Sequence, residues 1–348
     1  MSEKKSRVAI VGASGYTGSD LIRLALRHPN ISINALTAAT HAGKEVEQVF
    51  PHLSGFGLPA LVNNDEVNWN DIDAVFCGLP HATSQNVIKS LPAHLKIVDM
   101  SADFRLRDAD CYESTYGNPH TATELQKEAV YGLSEHYRQS IAKARLVACP
   151  GCYPTATLLL LLPLVKEGLI DPADLIIDAK SGVTGAGRSP KQNTLFSETG
   201  EGLGPYAVAQ HRHAPEIEQE ISIAAGRDIT VNFTPHLIPM SRGELVTCYA
   251  RLSTGQSAAS CRTLLKEHYS KDFFVDLSPD GVYPQTQFVR GSNRVMLNAY
   301  DDRIDGRVIL IAALDNLVKG SSGQALQNFN IMSGQEETTG LEQVALFP

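Results

Sequence analysis

The hydrophobic positions of the first 150 residues follow two patterns that alternate along the chain. Short uninterrupted apolar runs, of which residues 8–11 are the first, are typical of strands buried on both faces of a parallel sheet. Apolar residues at helical spacing predict helices over residues 19–26 and 83–91. Further buried strands are predicted over residues 31–36, 73–77 and 95–100. This alternation predicts an α/β domain with a doubly wound parallel sheet.

The pattern changes beyond residue 150. Strands are predicted over residues 175–179, 231–233, 245–252 and 307–313. They do not alternate regularly with helices, which favours a mixed or antiparallel sheet. We therefore predict a first domain over residues 1–150 and a second, α+β domain that begins near Gly151.

A glycine-rich loop joins the first predicted strand to the first predicted helix. It reads Gly12, Ala13, Ser14, Gly15, Tyr16, Thr17 and Gly18. Glycines let the backbone turn sharply and let a pyrophosphate approach the amide groups at the helix N-terminus. The spacing is GxxGxxG rather than GxGxxG, and a structural loop is the alternative. The order of strand, loop and helix favours dinucleotide binding in a domain of the Rossmann type.

The end of the second predicted strand bears on which dinucleotide binds. In an NAD site an acidic residue usually ends this strand and binds the ribose 2′-hydroxyl. Here Thr37, Thr40 and Lys44 occur instead, and the first carboxylate is Glu45. Hydroxyl and ammonium groups suit a 2′-phosphate better than a diol, so we expect NADP.

Cys152, near the middle of the chain, is the strongest candidate for chemistry. A predicted strand precedes it, and the apolar run 158–162 of a predicted helix follows, with Pro154 in the first turn. A helix N-terminus stabilises a thiolate, which is the form of cysteine that attacks carbonyl carbon. The alternatives are an inert buried thiol and a redox pair with Cys149.

A nucleophilic cysteine needs a group that exchanges protons near neutral pH, and histidine has that property. His211 and His213 are the best candidates among eleven histidines, because they flank Arg212 just before a predicted helix. In an extended segment the two imidazoles would share a face. A single histidine is more often structural, so the pair is selected only as a partner for Cys152.

Ser101 and Arg105 follow the strand predicted over residues 95–100. Ligands bind at such strand ends in parallel sheets, and a guanidinium can hold a phosphate through two hydrogen bonds. The alternative is a surface arginine paired with Asp103 or Asp108.

Composition and charge narrow the classes of function. The chain has 348 residues, of which 43% are hydrophobic and 20% charged, as in ordinary globular proteins of two domains. The net charge of −8 argues against a nucleic-acid partner. Six scattered cysteines without metal-ligand spacing suggest reduced thiols in the cytoplasm and no metal. The apolar runs are too short for a signal-peptide core or a membrane span, so no membrane partner is expected.

These motifs together resemble those of the N-acetyl-gamma-glutamyl-phosphate reductases, in the aspartate-semialdehyde dehydrogenase superfamily. The matching stretches are VGASGYTG (11–18), DMSADFR (99–105), YGLSE (131–135), PGCYPTA (150–156), KSGVTGAGR (180–188), HRHAPEI (211–217), FTPHLIPMSRG (233–243) and DNLVKG (315–320). The resemblance covers residues 8–348. It implies an NADP-binding Rossmann domain over residues 1–150 completed by residues 315–348, and a catalytic and dimerisation domain over residues 151–314.

The resemblance also implies the reaction. Cys152 would attack the acyl phosphate of N-acetylglutamyl 5-phosphate, phosphate would leave, and NADPH would reduce the thioester to the semialdehyde, a step of arginine biosynthesis. His211 or His213 would be the acid/base, with His213 preferred. The protein would be a homodimer or homotetramer. Alternatives are the reduction of another acyl phosphate, such as aspartyl or aminoadipyl phosphate, and an NADP-binding regulator without turnover.

The predicted binding residues come from the loops at the strand ends. For the cofactor they are Gly12, Ser14, Gly15, Tyr16, Thr17, Gly18, Thr37, Thr40, Ser181, Gly182 and Asn316. For the substrate they are Ser101, Arg105, Lys180, Arg188 and Arg242.

Overall fold

The short apolar runs of the N-terminal half form one parallel sheet in the computed structural model of the protein, which describes residues 5–348. Its strands are β1 (Ser6–Val11), β2 (Ile31–Thr37), β3 (Leu61–Val62), β4 (Ala74–Cys77), β5 (Lys96–Asp99), β6 (Val130–Tyr131) and β7 (Leu146–Ala148). They lie in the order β3-β2-β1-β4-β5-β7-β6, and every neighbouring pair is parallel. Val8, Ala9 and Ile10 are fully buried, as expected of a strand covered on both faces. The predicted doubly wound parallel sheet is confirmed.

Six helices connect these strands. They are α1 (Tyr16–Ala25), α2 (Val46–Val49), α3 (Ser84–Ser90), α4 (Ala109–Tyr116), α5 (Thr123–Glu128) and α6 (Ser134–Ile141). Helix α1 begins at Tyr16, whereas the hydrophobic pattern predicted a start at residue 19. The prediction was late because the first turn contains no aliphatic residue and is defined instead by Gly15, which caps the helix with an extended backbone.

The second half of the chain forms a mixed sheet, which confirms the predicted α+β domain. Its strands are β8 (Ile170–Gly182), β9 (Gly204–Pro205), β10 (Asn232–Ile238), β11 (Glu244–Leu252), β12 (Val275–Leu277), β13 (Val295–Asp301) and β14 (Arg307–Leu314). Their order is β12-β13-β14-β11-β8-β10-β9. Strand β8 is parallel to β10 and antiparallel to β11. The helices are α7 (Cys152–Lys166), α8 (Phe196–Thr199), α9 (Ala214–Ala225) and α10 (Ala258–His268).

The chain divides into two compact units, and α11 (Gly323–Met332) belongs to the first. The first unit comprises the residues up to Pro150 and Ser321–Glu342, and the second comprises Gly151–Gly320 and Gln343–Pro348. Residues 1–4 of the predicted first domain lie outside the described residues. The roles predicted for the two domains remain predictions.

The prediction that residues 315–348 complete the first domain is wrong at both ends of this segment. Residues 315–320 and 343–348 were expected in the first unit and lie in the second. Asp315 accepts a hydrogen bond from the main chain of Gly291 (2.7 Å). The main chain of Leu346 donates to Arg290 (2.8 Å), and the ring of Phe347 stacks on a ring of the same unit. These contacts join sequence-distant segments, which a local pattern does not reveal.

Gly12, the first residue of the loop that follows β1, has two features that exclude a side chain. Its φ is +81°, and an ideal Cβ would lie 2.3 Å from the carbonyl oxygen of Gly78. The absence of a Cβ therefore lets the loop after β1 pass directly against the loop after β4.

We expect Gly12→Ala to lower the free energy of unfolding by about 3 kcal/mol, from backbone strain and steric overlap together. Gly43→Ala is the matched control, because Gly43 has the same φ of +81° but no heavy atom within 4 Å of an ideal Cβ. Strain alone should lower its stability by about 1 kcal/mol. Urea unfolding of both variants measures the difference, and equal losses would show that the close approach to Gly78 is unimportant.

Candidate active site

The loop between β1 and α1 presents main-chain amides at the N-terminus of a helix. The amides of Gly12 (3.1 Å) and Ala13 (2.8 Å) donate to the carbonyl oxygen of Thr37, which fixes the loop to the end of β2. The first turn of α1 contains no acidic side chain, and its first intrahelical bond runs from Ser19 to Gly15 (3.0 Å). The main-chain amides at the start of α1, before Ser19, and the positive end of the helix dipole suit a pyrophosphate. The loop therefore fits a dinucleotide.

The end of β2 carries no carboxylate. The side chain of Thr37 is buried, with 2% exposure, whereas Thr40 lies in an exposed helical turn where its Oγ1 is 2.9 Å from His41 Nδ1. Lys44 is exposed. Of the two predicted cofactor residues at and just after the end of β2, only Thr40 is thus exposed.

Arg105 and Ser101 are both buried at the end of β5. Arg105 is 8% exposed, and it donates from Nε to the carbonyl of Cys149 (2.7 Å) and from Nη2 to that of Met100 (2.9 Å). The alternative of a surface arginine is therefore wrong. Ser101 Oγ accepts a hydrogen bond from the main chain of Leu79 (3.1 Å). Both side chains hold the loops at this edge of the first sheet in place.

Cys152 is the first residue of α7, as the sequence predicts. The residue is partly exposed, which argues against a fully buried, inert cysteine, whereas Cys149 is 1% exposed. Gly151 caps the helix, and its amide donates to Glu216 Oε1 (2.9 Å). An ideal Cβ on Gly320 would lie 2.7 Å from the Cβ of Cys152. The missing side chain of Gly320 thus leaves the space that Cys152 occupies.

His213 packs directly against the backbone that precedes Cys152. An ideal Cβ on Gly151 would lie 2.4 Å from His213 Nε2. His213 is also the N-cap residue of α9, with φ of −84° and ψ of −15°. The expected extended segment is therefore wrong, because residues 212–213 form a turn. The turn nevertheless brings the imidazoles of His211 and His213 together, with ring centroids 4.8 Å apart.

His211 lies in an aromatic cluster. Its ring centroid is 5.7 Å from that of Tyr153, 5.2 Å from Tyr206 and 5.3 Å from Phe233. Burial, together with the smaller effect of the charge of Arg212, lowers its pKa to about 4. His211 Nδ1 accepts a hydrogen bond from the amide of His213 (3.1 Å), so the proton of the neutral ring is assigned to Nε2. A neutral histidine at this position supports the backbone of His213.

Other predicted residues meet at the ends of β8 and β14. The amide of Gly182 donates to Gly243 (2.9 Å), whose own amide donates to Asn316 Oδ1 (2.8 Å). Ser181 is 1% exposed and donates to the carbonyl of Gly182 (3.1 Å). Arg242 Nη1 lies 3.6 Å from Asp315 Oδ1. The structure therefore brings Ser181, Gly182, Arg242 and Asn316 into one group.

Lys180 and Arg188 make no described contact with that group. Side chains alternate along β8, so Lys180 is on the opposite face from Ser181, and it forms an ion pair with Asp178. Arg188 is exposed in the loop after β8.

Two carboxyl groups that were not selected from the sequence are part of the site. Glu216, in the first turn of α9, accepts the hydrogen bond from Gly151. Glu244 begins β11 and is completely buried. Its pKa is raised to about 8: burial has the largest effect, the Cys152 thiol lowers the pKa, and the charge of Asp315 raises it. The sequence signal that could have identified Glu244 is a carboxylate at the start of an apolar strand.

Residues 5–348 contain neither a cluster of metal-ligating side chains nor a membrane-spanning helix. No group of three or more His, Cys, Asp or Glu side chains in this range could hold a metal ion. No helix in the same range has the length and apolar character to cross a membrane.

The lowered pKa of His211 predicts a loss of stability in acid. Below pH 6.5 the unfolded chain binds a proton at His211, whereas the folded protein resists protonation until about pH 4. Between pH 7 and pH 5 the wild type should therefore lose about 2 kcal/mol more unfolding free energy than His211→Gln. Urea unfolding at both pH values measures this. The exposed His52→Gln should behave like the wild type, and parallel losses in all three proteins would contradict the assignment.

Comparisons with known proteins identify the family. The model of the semialdehyde dehydrogenase NAD-binding domain matches residues 7–144, and that of the semialdehyde dehydrogenase dimerisation domain matches residues 152–316. The chain thus has the domain that binds a nicotinamide cofactor. A structure of aspartate semialdehyde dehydrogenase II from Vibrio cholerae, complexed with ASA, covers 95% of this chain and 99% of its own, at a TM-score of 0.73 and 16% identity.

Curated relatives are much closer in sequence. N-acetyl-gamma-glutamyl-phosphate reductase from Rhodospirillum rubrum is 53% identical, with 100% of both chains covered. The probable chloroplastic N-acetyl-gamma-glutamyl-phosphate reductase of Arabidopsis thaliana is 53% identical over 99% of this chain and 86% of its own. The resemblance inferred from the motifs is confirmed, and the chain belongs to the N-acetyl-gamma-glutamyl-phosphate reductase family of oxidoreductases.

Proposed function

We propose that the protein reduces N-acetyl-L-glutamyl 5-phosphate to N-acetyl-L-glutamate 5-semialdehyde with NADPH, releasing phosphate, as a step of arginine biosynthesis. The observation that carries the proposal is the position of the partly exposed Cys152 at the N-terminus of α7, next to the glycine against which His213 packs. The full-length relatives that bear this reductase name support the substrate.

Cys152 is the nucleophile in this mechanism. Its thiolate attacks the acyl carbon, the bond to the phosphate oxygen breaks, and a thioester forms as phosphate leaves. The developing oxyanion needs hydrogen-bond donors. The amide of Gly151 already donates to Glu216, and Pro154 has no amide hydrogen, so the amides of Cys152 and Tyr153 are the candidate donors in this turn.

His213 is the acid/base, and the proton moves at its Nε2, the atom that faces Gly151. It exchanges protons with the thiol and with the oxygen of the reduced carbonyl group. When bound, the nicotinamide supplies the hydride that reduces the thioester. The thiolate then leaves as the aldehyde is released, which returns Cys152 to its starting state.

NADP is preferred over NAD in this proposal. The exposed Thr40 and Lys44 follow β2, and residues 37–44 contain no carboxylate to bind a 2′-hydroxyl or repel a 2′-phosphate. Gly12, Ser14, Gly15, Tyr16, Thr17 and Gly18 would hold the pyrophosphate. A structurally similar aspartate semialdehyde dehydrogenase from Candida albicans was solved with NADP.

The remaining binding roles also rest on the family. We assign Ser181, Gly182 and Asn316 to the nicotinamide end of the cofactor, and Arg242 and Arg188 to the anionic groups of the substrate. Ser101, Arg105 and Lys180 stay predicted substrate ligands. The buried donors of Arg105 already bind main-chain carbonyls, so this residue has a structural role in addition.

We also propose that the protein is a homo-oligomer formed through the second sheet. Ile176, Tyr249, Ile309 and Ile311 lie on neighbouring strands of one face of this sheet and are partly exposed. Such a face suits contact with a second copy. The match to a dimerisation domain supports the same conclusion.

The reaction is tested in reverse, as phosphate-dependent oxidation of N-acetylglutamate semialdehyde followed by absorbance of the reduced cofactor. The wild type should turn over with NADP and more slowly with NAD. Cys152→Ala should lose activity to background, because no thioester can form, and Cys149→Ala is the matched control that keeps it.

Two outcomes would contradict the proposal in different ways. Turnover of aspartate semialdehyde in place of the acetylated substrate would retain the role of Cys152 and reject the substrate. Binding of NADP without turnover of either aldehyde would favour a regulator.

The two histidines should differ in their effect on the same assay. His213→Gln should lower kcat/KM by about 10²–10⁴, the usual contribution of an acid/base group. His211→Gln should have a smaller effect, because the low pKa of this residue prevents proton exchange near pH 7. A larger loss for His211→Gln at matched stability would reverse the assignment.

A further inference from the structure

Glu244 is a buried carboxyl group that the proposed reaction does not use. It is 0% exposed, and neither carboxyl oxygen has a partner at ordinary hydrogen-bond geometry. Burying an unpartnered carboxyl group costs free energy, and buried polar groups are normally bonded. Packing alone therefore does not account for a glutamate at this position.

The titratable groups around Glu244 come from several elements. Strand pairing and packing place Cys152 near it: Glu244 pairs with Leu314 of β14, and an ideal Cβ on Gly320 would lie 2.7 Å from the Cβ of Cys152 and 3.2 Å from the Cδ1 of Leu314. The charge of Glu244 also acts on Tyr153 and Tyr206, and the charge of Asp315 acts on Glu244. Arg242 forms its ion pair with Asp315. The Cys152 thiol is the neighbour that lowers the pKa of the carboxyl group, against the larger effect of burial.

Two neighbouring acids in a buried place do not ionise independently. When one loses its proton, its negative charge opposes ionisation of the other, so the pair first loses one shared proton. The pKa of the Glu244 carboxyl group, about 8, is close to the ordinary pKa of a thiol. A proton can therefore pass between the two groups at a small free-energy difference.

We propose that Glu244 is a positioning residue that exchanges a proton with the Cys152 thiol and thereby sets the fraction of Cys152 present as thiolate. The proton leaves Sγ for a carboxyl oxygen of Glu244 as the thiolate forms, and it returns when the thiolate is protonated. No electron transfer or further reactant is involved. The inference rests on the proposed role of Cys152 as nucleophile. Glu244 sets the protonation of the thiol in the free enzyme, and His213 remains the acid/base during the reaction.

The test measures alkylation of Cys152 by iodoacetamide from about pH 5 to about pH 10, without substrate or cofactor. Mass spectrometry of peptide fragments distinguishes Cys152 from the nearby Cys149. The variants are Glu244→Gln and Glu244→Leu, the second of which replaces the carboxyl group with an apolar side chain suited to burial. Glu220→Gln is the control, because Glu220 is equally buried, at 1% exposure, but lies on α9.

The wild type and Glu220→Gln should show two steps in alkylation rate against pH. Both Glu244 variants should show one step, with a midpoint about one pH unit below the second step of the wild type, because the neighbouring negative charge is removed. The pH profile of kcat/KM should likewise lose one ionisation step in both Glu244 variants.

A single step in the wild type, superimposable on that of Glu244→Leu, would overturn the inference even if Glu244→Gln failed to fold. An inactive wild type with the two-step profile would reject the proposed reaction and leave the proton exchange intact. An active enzyme with one step in every variant would reject only the proton exchange.

Discussion

The contact between the first turns of α7 and α9 is the interaction on which the candidate active site depends. Glu216 of α9 accepts a hydrogen bond from the amide of Gly151, and the His213 ring occupies the space where a side chain on Gly151 would lie. The contact directs two helix N-termini, each with partial positive charge, towards the same region. Cys152, His213 and the main-chain donors of α7 thereby acquire fixed positions relative to one another.

Burial, rather than ion pairing, dominates the protonation equilibria near this contact. Desolvation is the largest cause of the lowered pKa of His211 and of the raised pKa of Glu244. Both groups are thereby driven towards their neutral forms, because a low-dielectric environment disfavours either sign of charge. The protein thus keeps a neutral histidine beside His213, the proposed acid/base, and a carboxyl group near the Cys152 thiol. The first unit shows the same effect, because burial raises the pKa of Asp99 to about 6.

Secondary structure was predictable where the local signal was strong. The apolar runs predicted β1, β2, β4 and β5 within a few residues, and the glycine loop predicted the strand-to-helix connection. The prediction failed for β12 and β13, which were not recognised. Strand β12 has three residues, and β13 contains Asn298 and other polar positions, so neither gives a clear apolar run. Their strand structure depends on pairing with neighbours.

The sequence by itself determined the local features of the site: a glycine loop before α1, Cys152 at the first turn of α7, and two histidines before α9. Such features depend on residues a few positions apart, where backbone sterics and helix capping act. Only the tertiary structure decided that His213 packs on Gly151, that Gly320 makes room for Cys152, and that Glu244 adjoins the thiol. These contacts join distant segments through the register of β8, β11 and β14 and the packing of α7 and α9, which no local pattern specifies.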